Sequence, residues 1–347
     1  MLTITFVIDA RPDAGLGHLQ RCFAIAKALV SEDPITVVEL LLLDAPEPAP
    51  LPPPAGTRSL KAITRNVLND PDSLRSSGNE SRILILDSYF LNEAGWLHKL
   101  RKSYPLTPVL CFDDNEVGNE WPVMGLIRPS IGATAKGLNS TMLGFSAIGP
   151  GFVPLRAEIV IAGENAALLT TKSHTPNILV TLGGADPEFY TERVVRTLAA
   201  IKLRSTFNIV FGPGADKSRL ALLVPDGRFK LHHSPDNFLE LMQKADLAIT
   251  GGGGTCHELL FLGTPVAAIA LANNQMSICR AVNDLGCGYF IGEMGKLSDR
   301  ELKERIAVRL LNPDNFAEMP AIGRNLIDGG GAMRLARHIL AVLHSFY

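Results

Sequence analysis

Apolar residues along this chain follow two rhythms that take turns. Short, nearly unbroken apolar runs at residues 3–8, 35–43, 83–86, 109–112, 126–129 and 142–148, and again at 177–182, 209–211, 229–231, 247–250 and 266–270, have the length of strands buried on both faces. Between them apolar residues recur at helical spacing, as in Leu19, Cys22, Phe23, Ala26 and Leu29. Strands alternating with helices predict an α/β chain with parallel sheets and helical crossovers. From residue 298 the pattern is helical, and a last helix is expected over 333–346.

The rhythm is interrupted twice. Gly149-Pro-Gly151 followed by Phe152-Val-Pro-Leu-Arg156-Ala-Glu158 reads as a crossing between domains. The expected organisation is therefore an N-terminal domain over 1–150 and a C-terminal domain over 158–330, followed by a helix over 331–347. Residues 45–55 are rich in proline and continue neither helix nor sheet; they read as a surface loop.

Length and composition narrow the picture. A chain of 347 residues, 46% hydrophobic and 20% charged, is long enough for two proper cores. A net charge of -2 provides no basic field for a nucleic acid backbone, so an anionic ligand must be met by local donors. The apolar run at the N-terminus stops at Asp9 and has no basic leader, and no later run has the ~18 apolar residues of a membrane helix. A cytoplasmic monomer, with no membrane insertion, is the expectation. The five cysteines form no Cys-x-x-Cys pair, which argues against a disulfide framework and a zinc knuckle.

The candidate chemistry sits where strands end. Gly15-Leu-Gly17-His18 falls on the turn from the first strand into the first helix, where unpaired N–H groups and close backbone approach suit a phosphate. Gln20 stands at the third glycine position of a dinucleotide fingerprint, which argues against a nicotinamide or flavin site. Asp87-Ser-Tyr89 and Asp113-Asp114 each follow a strand directly and should face the same opening as His18, although acidic residues at such places also serve as turn caps.

The second half repeats this logic. Gly183-Gly184 follows a strand, and Asp186-Pro187 reads as N-cap and first-turn proline of a helix running to about residue 199. Gly251 to Gly254 with Thr255 opens the helix bearing Glu258; four successive glycines are costly in conformational entropy, and a bound anion close to the backbone explains them. Glu258 suits a ribose diol, or it is a first-turn carboxylate favoured by the helix dipole. No group of carboxylates or histidines has metal-ligand spacing.

Taken in order, Gly15-x-Gly17-His18-x-x-Arg21-Cys22, Asp87-Ser-Tyr89, Asp113-Asp114, Gly183-Gly184-x-Asp186-Pro187, the 251–254 glycines with Thr255 and Glu258, and Asn274-Gln275 resemble the nucleotide-sugar hydrolases of pseudaminic acid biosynthesis. Those enzymes act on UDP-2,4-diacetamido-2,4,6-trideoxy-β-L-altropyranose and are similar in turn to GT-B glycosyltransferases. The ordered set runs from about residue 3 to about residue 290; Arg128-Pro129-Ser130 departs from it, standing where an asparagine-containing segment is usual.

The resemblance implies a GT-B-like fold, two Rossmann-like domains with parallel sheets facing a central cleft, the C-terminal one holding UDP. It implies catalytic roles for His18 as base and for Tyr89 and Asp87 in orienting sugar or water. Substrate contacts fall to Gly15, Gly17, Arg21, Gly183, Gly184, Gly252, Gly253, Gly254, Thr255, Glu258, Asn274 and Gln275. The reaction is loss of UDP by water attack at the anomeric carbon with inversion, using no cofactor and no metal. A glycosyltransferase with a UDP-sugar donor and a binding protein without turnover are the alternatives.

Overall fold

The computed structural model describes residues 3–11, 14–47, 49, 51–62, 64–74, 82–89, 94–135, 138, 144–165, 175–183, 189–212, 216–310 and 318–346. The chain divides into two compact units, Met1–Arg156 with Gly329–Tyr347, and Ala157–Asp328. The first contains β1 (Thr3–Asp9), α1 (Gly17–Glu32), β2 (Val37–Leu43), β3 (Thr57–Ala62), α2 (Thr64–Asn69), β4 (Arg82–Asp87), α3 (Ala94–Ser103), β5 (Val109–Phe112), β6 (Gly125–Arg128) and β7 (Phe145–Ile148). The second contains α4 (Ala157–Asn165), β8 (Asn177–Thr181), α5 (Tyr190–Ala199), β9 (Thr206–Phe211), α6 (Lys217–Leu223), β10 (Phe229–His233), α7 (Phe238–Gln243), β11 (Leu247–Gly251), α8 (Gly254–Leu262), β12 (Val266–Ala270), α9 (Met276–Asp284), β13 (Gly288–Glu293), α10 (Asp299–Leu310) and α11 (Met319–Leu326). The chain ends with α12 (Gly331–Phe346) in the first unit.

Both sheets are parallel. The first has the order β3-β2-β1-β4-β5-β6-β7 and the second β10-β9-β8-β11-β12-β13. In each, the order reverses beside the unit's first strand, between β1 and β4 and between β8 and β11. A crevice for a ligand forms at such a switch point, outside the carboxyl ends of the strands. Register places the expected motifs there: Ile8 pairs with Asp87, and Thr181 with Thr250.

The pleat decides which core each residue joins. Ile4, Phe6 and Ile8 pack with Ile83 and Ile85 in the layer that receives α1 and α12, whereas Val7, Leu84 and Leu86 join Trp96, Leu97 and Leu100 of α3. Asp87, in phase with Ile83 and Ile85, therefore falls on the α1 face.

α12 lies against α1 in the first unit. Leu335, Ala336, Ile339, Leu340 and Leu343 share the α1 core, and Arg337 grips Glu32 through two hydrogen bonds of 2.8 and 3.1 Å. Gly331, the first residue of α12, permits close approach to residues 152–153, because a Cβ there would lie 2.1 Å from the Val153 carbonyl oxygen.

Several boundaries differ from the sequence reading. β3 and β13, both edge strands, were not expected; the polar residues of β3 and the glycines of β13 disguise the run. Helix α5 begins at Tyr190 after Phe189, which holds a left-handed φ of 55°, rather than at Asp186-Pro187. Asp186 and Pro187 themselves lie outside the described residues, as does Gly184. Ile35 is exposed ahead of β2 instead of opening it. All five cysteines are buried free thiols. Among the described residues no helix is long and apolar enough to cross a membrane, and no group of His, Cys, Asp or Glu could hold a metal ion.

Candidate functional site

In the first unit, Gly15 (φ 75°) turns the chain into α1, whose N-terminus has no side-chain cap and no acidic residue in its first turn. Its N–H groups are thus left to other partners. Among the described residues, a Cβ at Gly17 would meet no atom beyond its own turn of chain within 4 Å. His18, one residue into the helix, is turned inward and only 5% exposed. Its Nδ1 lies 2.5 Å from Asp87 Oδ1 at the end of β4. A carboxylate there accepts the Nδ1 proton and leaves the Nε2 lone pair as the basic position of the neutral ring. Nε2 has no hydrogen-bond partner among the described residues.

Asp87 was expected to orient sugar or water. Its carboxylate is 1% exposed and accepts from His18, from Arg21 Nε and Nη2 (2.7 and 2.6 Å) and from the Cys22 thiol (3.2 Å). It serves the histidine. Burial by itself pushes the Asp87 carboxyl up, but the Arg21 guanidinium and His18 outweigh it and hold it well below the usual carboxylate range. Burial beside that carboxylate pushes the Cys22 thiol well up, so it stays a donor.

Arg21 was expected to touch substrate. Instead its Nη1 and Nη2 also donate to Asp114 Oδ1 and Oδ2, both at 2.9 Å, and its guanidinium lies 4.3 Å from the centroid of the Phe112 ring. Four of its N–H donors are engaged by two carboxylates. Burial opposes its charge, but Asp114 and Asp87 more than compensate, raising its pKa further.

Tyr89 is 41% exposed, donates to Asp114 Oδ2 (3.0 Å), and sets its ring edge-on to His18 with centroids 4.9 Å apart. Asp113, one residue from Asp114 and on the other face of the pleat, is the turn cap: it accepts from Val117 N and Gly118 N at 3.0 and 2.9 Å. It also pairs with Arg128 (2.7 Å), a guanidinium only 1% exposed. Of the two aspartates, Asp113 thus caps the turn, whereas Asp114 accepts from Arg21 and Tyr89. Phe112 is a neighbour of the site that sequence reasoning did not single out, and only the pleat tells which of the two adjacent aspartates faces α1.

In the second unit, Gly183 (φ 99°) follows β8, and Gly251 to Gly254 lead from β11 into α8. The four glycines do not share one reason, which corrects the expectation that an anion accounts for them all. A Cβ at Gly252 would lie 2.6 Å from Cys279 Sγ and 2.7 Å from the Gln275 carbonyl oxygen, so Gly252 is required by packing. At Gly253 and Gly254 a Cβ would meet no atom of another element among the described residues within 4 Å, and neither has a positive φ. Helix α8, like α1, has no side-chain cap at its start, whereas α6 is capped by Asp216 on Ser218 N and Arg219 N.

Gln275 was expected to contact the nucleotide. Its Oε1 accepts from Gly252 N (2.9 Å) and Leu271 N (3.2 Å), so it closes the glycine loop from behind. Thr255 lies in the first turn of α8, half-buried, and Asn274 in the turn before α9. Glu258, the fifth residue of α8, is 5% exposed and lies beyond the first turn, so the helix-dipole reading does not describe it. Burial pushes the Cys279 thiol behind the loop up to about 12.

No protein-family model matches the chain. It is 32% identical over 37% of its length to an uncharacterized protein of Methanocaldococcus jannaschii, covering 27% of that protein. It is 24% identical to the spore coat polysaccharide biosynthesis protein SpsG of Bacillus subtilis, over 57% of the chain and 58% of that protein. A UDP-N-acetylglucosamine–N-acetylmuramyl-(pentapeptide) pyrophosphoryl-undecaprenol N-acetylglucosamine transferase of Synechocystis is 28% identical over 48% of the chain and 47% of its own length. The matches thus span from about a quarter to under three fifths of these relatives.

Among solved structures, the glycotransferase of kitacinnamycin superposes with a TM-score of 0.65 at 16% identity, covering 98% of this chain and 99% of its own. The UDP-GlcNAc 2-epimerase of Neisseria meningitidis bound to UDP-GlcNAc gives 0.60 at 12% identity, covering 98% and 100%. Two parallel-sheet Rossmann-like units of this order are the fold of the GT-B glycosyltransferase structures, and this chain has that fold.

Proposed function

We propose that the chain is a nucleotide-sugar hydrolase that releases UDP from a UDP-diacetamido-trideoxy-hexose, His18 deprotonating the water that attacks the anomeric carbon with inversion. The observation that carries this reading is the buried Asp87–His18 pair at the switch point of the first sheet. It directs the imidazole proton to Nδ1 and leaves the Nε2 lone pair as the proton acceptor, as a general base requires. UDP leaves as an already ionised group, so no protonated acid of the glycosidase kind is needed.

The nucleotide is assigned to the second unit. The uncapped start of α8, with Gly253 and Gly254 open on the Cβ side among the described residues and Thr255 in its first turn, suits the charge that develops on a pyrophosphate. Gly183, after β8, lies across the switch point at the same carboxyl end of the sheet, and Glu258 and Asn274 are assigned to the nucleoside. The likeness to proteins whose names specify UDP-sugars supports UDP as the nucleotide. The reading takes the enzyme to be a cytoplasmic monomer working without cofactor or metal.

A second reading, transfer of the sugar to an acceptor hydroxyl by the same base, is favoured by the transferase among the sequence relatives. Incubation with a panel of UDP-sugars, with and without acceptors, followed by NMR of the products separates the two. Free sugar with UDP supports hydrolysis, UDP released only with an acceptor supports transfer, and UDP binding without turnover on any donor overturns both.

A further inference from the structure

The group around His18 contains more charge than an Asp–His pair needs. From α1 it is faced by Arg21 and Cys22, from the end of β4 by Asp87 and Tyr89, and from the end of β5 by Asp114. Arg21 Nη2 lies 3.3 Å from His18 Nδ1 while bonded to both carboxylates, 2.6 Å from Asp87 Oδ1 and 2.9 Å from Asp114 Oδ2. Asp87 and Asp114 never touch each other among these contacts. Arg21 joins them.

We propose that Arg21 and Asp114 are positioning residues for His18: Asp114 holds Arg21 flat between the two carboxylates, and Arg21 in turn fixes Asp87 so that its Oδ1 receives the Nδ1 proton. This rests on the reading of His18 as the base. An isolated Asp–His pair in a buried place favours the imidazolium, because the carboxylate stabilises a second proton on the ring. A base must be neutral when it meets water. Arg21, within hydrogen-bond reach of the same ring nitrogen, opposes that second proton by like charge, and its two-sided grip keeps the guanidinium from swinging out to solvent.

Asp114 does a second thing. By accepting the Tyr89 hydroxyl it ties the exposed ring edge-on against His18, so the imidazole plane is held from the front by an aromatic edge and from behind by Asp87. Arg21 is itself held from behind, stacked on Phe112. The charges and the ring plane are therefore set by one network reaching from β5 through α1 to β4.

The test uses the full chain without substrate, which separates it from the fate of the hydrolase reading. Proton-detected long-range 1H–15N correlation of the histidine ring reports the tautomer and the midpoint of protonation of His18 in wild type, Asp114→Asn and Arg21→Met. Wild type should carry its proton on Nδ1. Arg21→Met should move the midpoint up by about one pH unit or more, since a like charge has gone, and Asp114→Asn should move it down by roughly one, since an opposite charge has gone.

In turnover assays, if the base reading holds, the acid limb of kcat/KM should shift in the same two directions with KM little changed. Arg21→Met leaves Asp87 without its main partner and is the variant more prone to unfold; Asp114→Asn, at a carboxylate partly open to solvent, preserves shape and keeps the test decisive. A proton on Nε2 in wild type overturns the proposal, as do midpoints unmoved, or moved in the same direction, in folded variants. A correct tautomer and opposed shifts with no turnover on any UDP-sugar would leave the network standing and sink the hydrolase reading alone.

Discussion

Replacing Gly252 and Gly253 separately by alanine should give opposite outcomes at adjacent positions. At 252 the new Cβ would be pressed to 2.6 Å from Cys279 Sγ and 2.7 Å from a backbone carbonyl that cannot easily retreat. Overpacking of this kind costs about 1–3 kcal/mol. With about 2–4 °C per kcal/mol for a unit of this size, the second unit of Gly252→Ala should melt roughly 2–12 °C below wild type, with or without ligand. At 253 the backbone is extended, with φ −119° and ψ −162°, and among the described residues no atom beyond its chain neighbours lies within 4 Å of a Cβ. Alanine there restricts the unfolded chain and should leave the apo protein equal to wild type or more stable by about 0.4–1 kcal/mol.

UDP should reverse that ranking. At a concentration of about 100 Kd it stabilises wild type by about 2.7 kcal/mol, roughly 5–10 °C. If the Cβ at 253 stands where the pyrophosphate lies and weakens binding about 100-fold, the same UDP adds only ~0.4 kcal/mol, about 1 °C. Differential scanning calorimetry of wild type and both variants, each with and without UDP, supplies the six melts. A UDP-induced shift in Gly253→Ala equal to that of wild type would falsify the assignment of this loop to the nucleotide. A Gly252→Ala protein melting like wild type would refute the packing argument.

Four further outcomes are expected. His18→Asn should lower turnover by ~10²–10⁴ while titration calorimetry finds UDP affinity within a few-fold of wild type, because the ring acts on water and not on the nucleotide; loss of UDP binding would remove His18 from the base role. Glu258→Gln should raise KM and weaken UDP with little change in kcat if the carboxylate holds the ribose diol, and normal UDP affinity in a protein of lowered melting temperature would assign it to the core. Arg128→Met should destabilise the first unit by roughly 3–5 kcal/mol, since it strands the Asp113 carboxylate in a site closed to water; denaturant titration following Trp96 and Trp121 reads this, and a loss under about 1 kcal/mol would show the pair to be dispensable. Asp87 is depressed below its unfolded value, so its contribution to stability is fully present above the unfolded pKa of about 4 and is lost as pH falls through the native value. Acid titration of Asp87→Asn should accordingly show a shallower loss of first-unit stability below about pH 4 than wild type; parallel acid limbs would contradict the assignment.

Local pattern sufficed for a good part of this protein. Apolar runs such as those of β1, β4, β8 and β11 announce buried parallel strands because every residue in them meets a packed face, and neighbours in sequence carry that signal together. The glycine turns after β1 and β11 and the histidine beside the first were legible for the same reason: they punctuate a strand-to-helix junction within a few residues. Edge strands β3 and β13 were not legible, since a strand paired on one side tolerates polar residues and glycine.

Partner choice needed the tertiary structure. Asp113 and Asp114 are chemically identical neighbours, yet the pleat sends one under Arg128 and the other to Arg21 and Tyr89. Asp87 reaches His18, across sixty-nine positions of sequence, because register sets it beside Ile8 and in phase with the α1 face. Gly252 and Gly253 look alike in the sequence and differ only because α9 brings Cys279 and the turn before it brings Gln275 against the first of them. Composition and periodicity are properties of contiguous residues and can be read one segment at a time; which side chain a carboxylate or a glycine meets depends on sheet order, register and pleat, and these exist only once distant segments have packed.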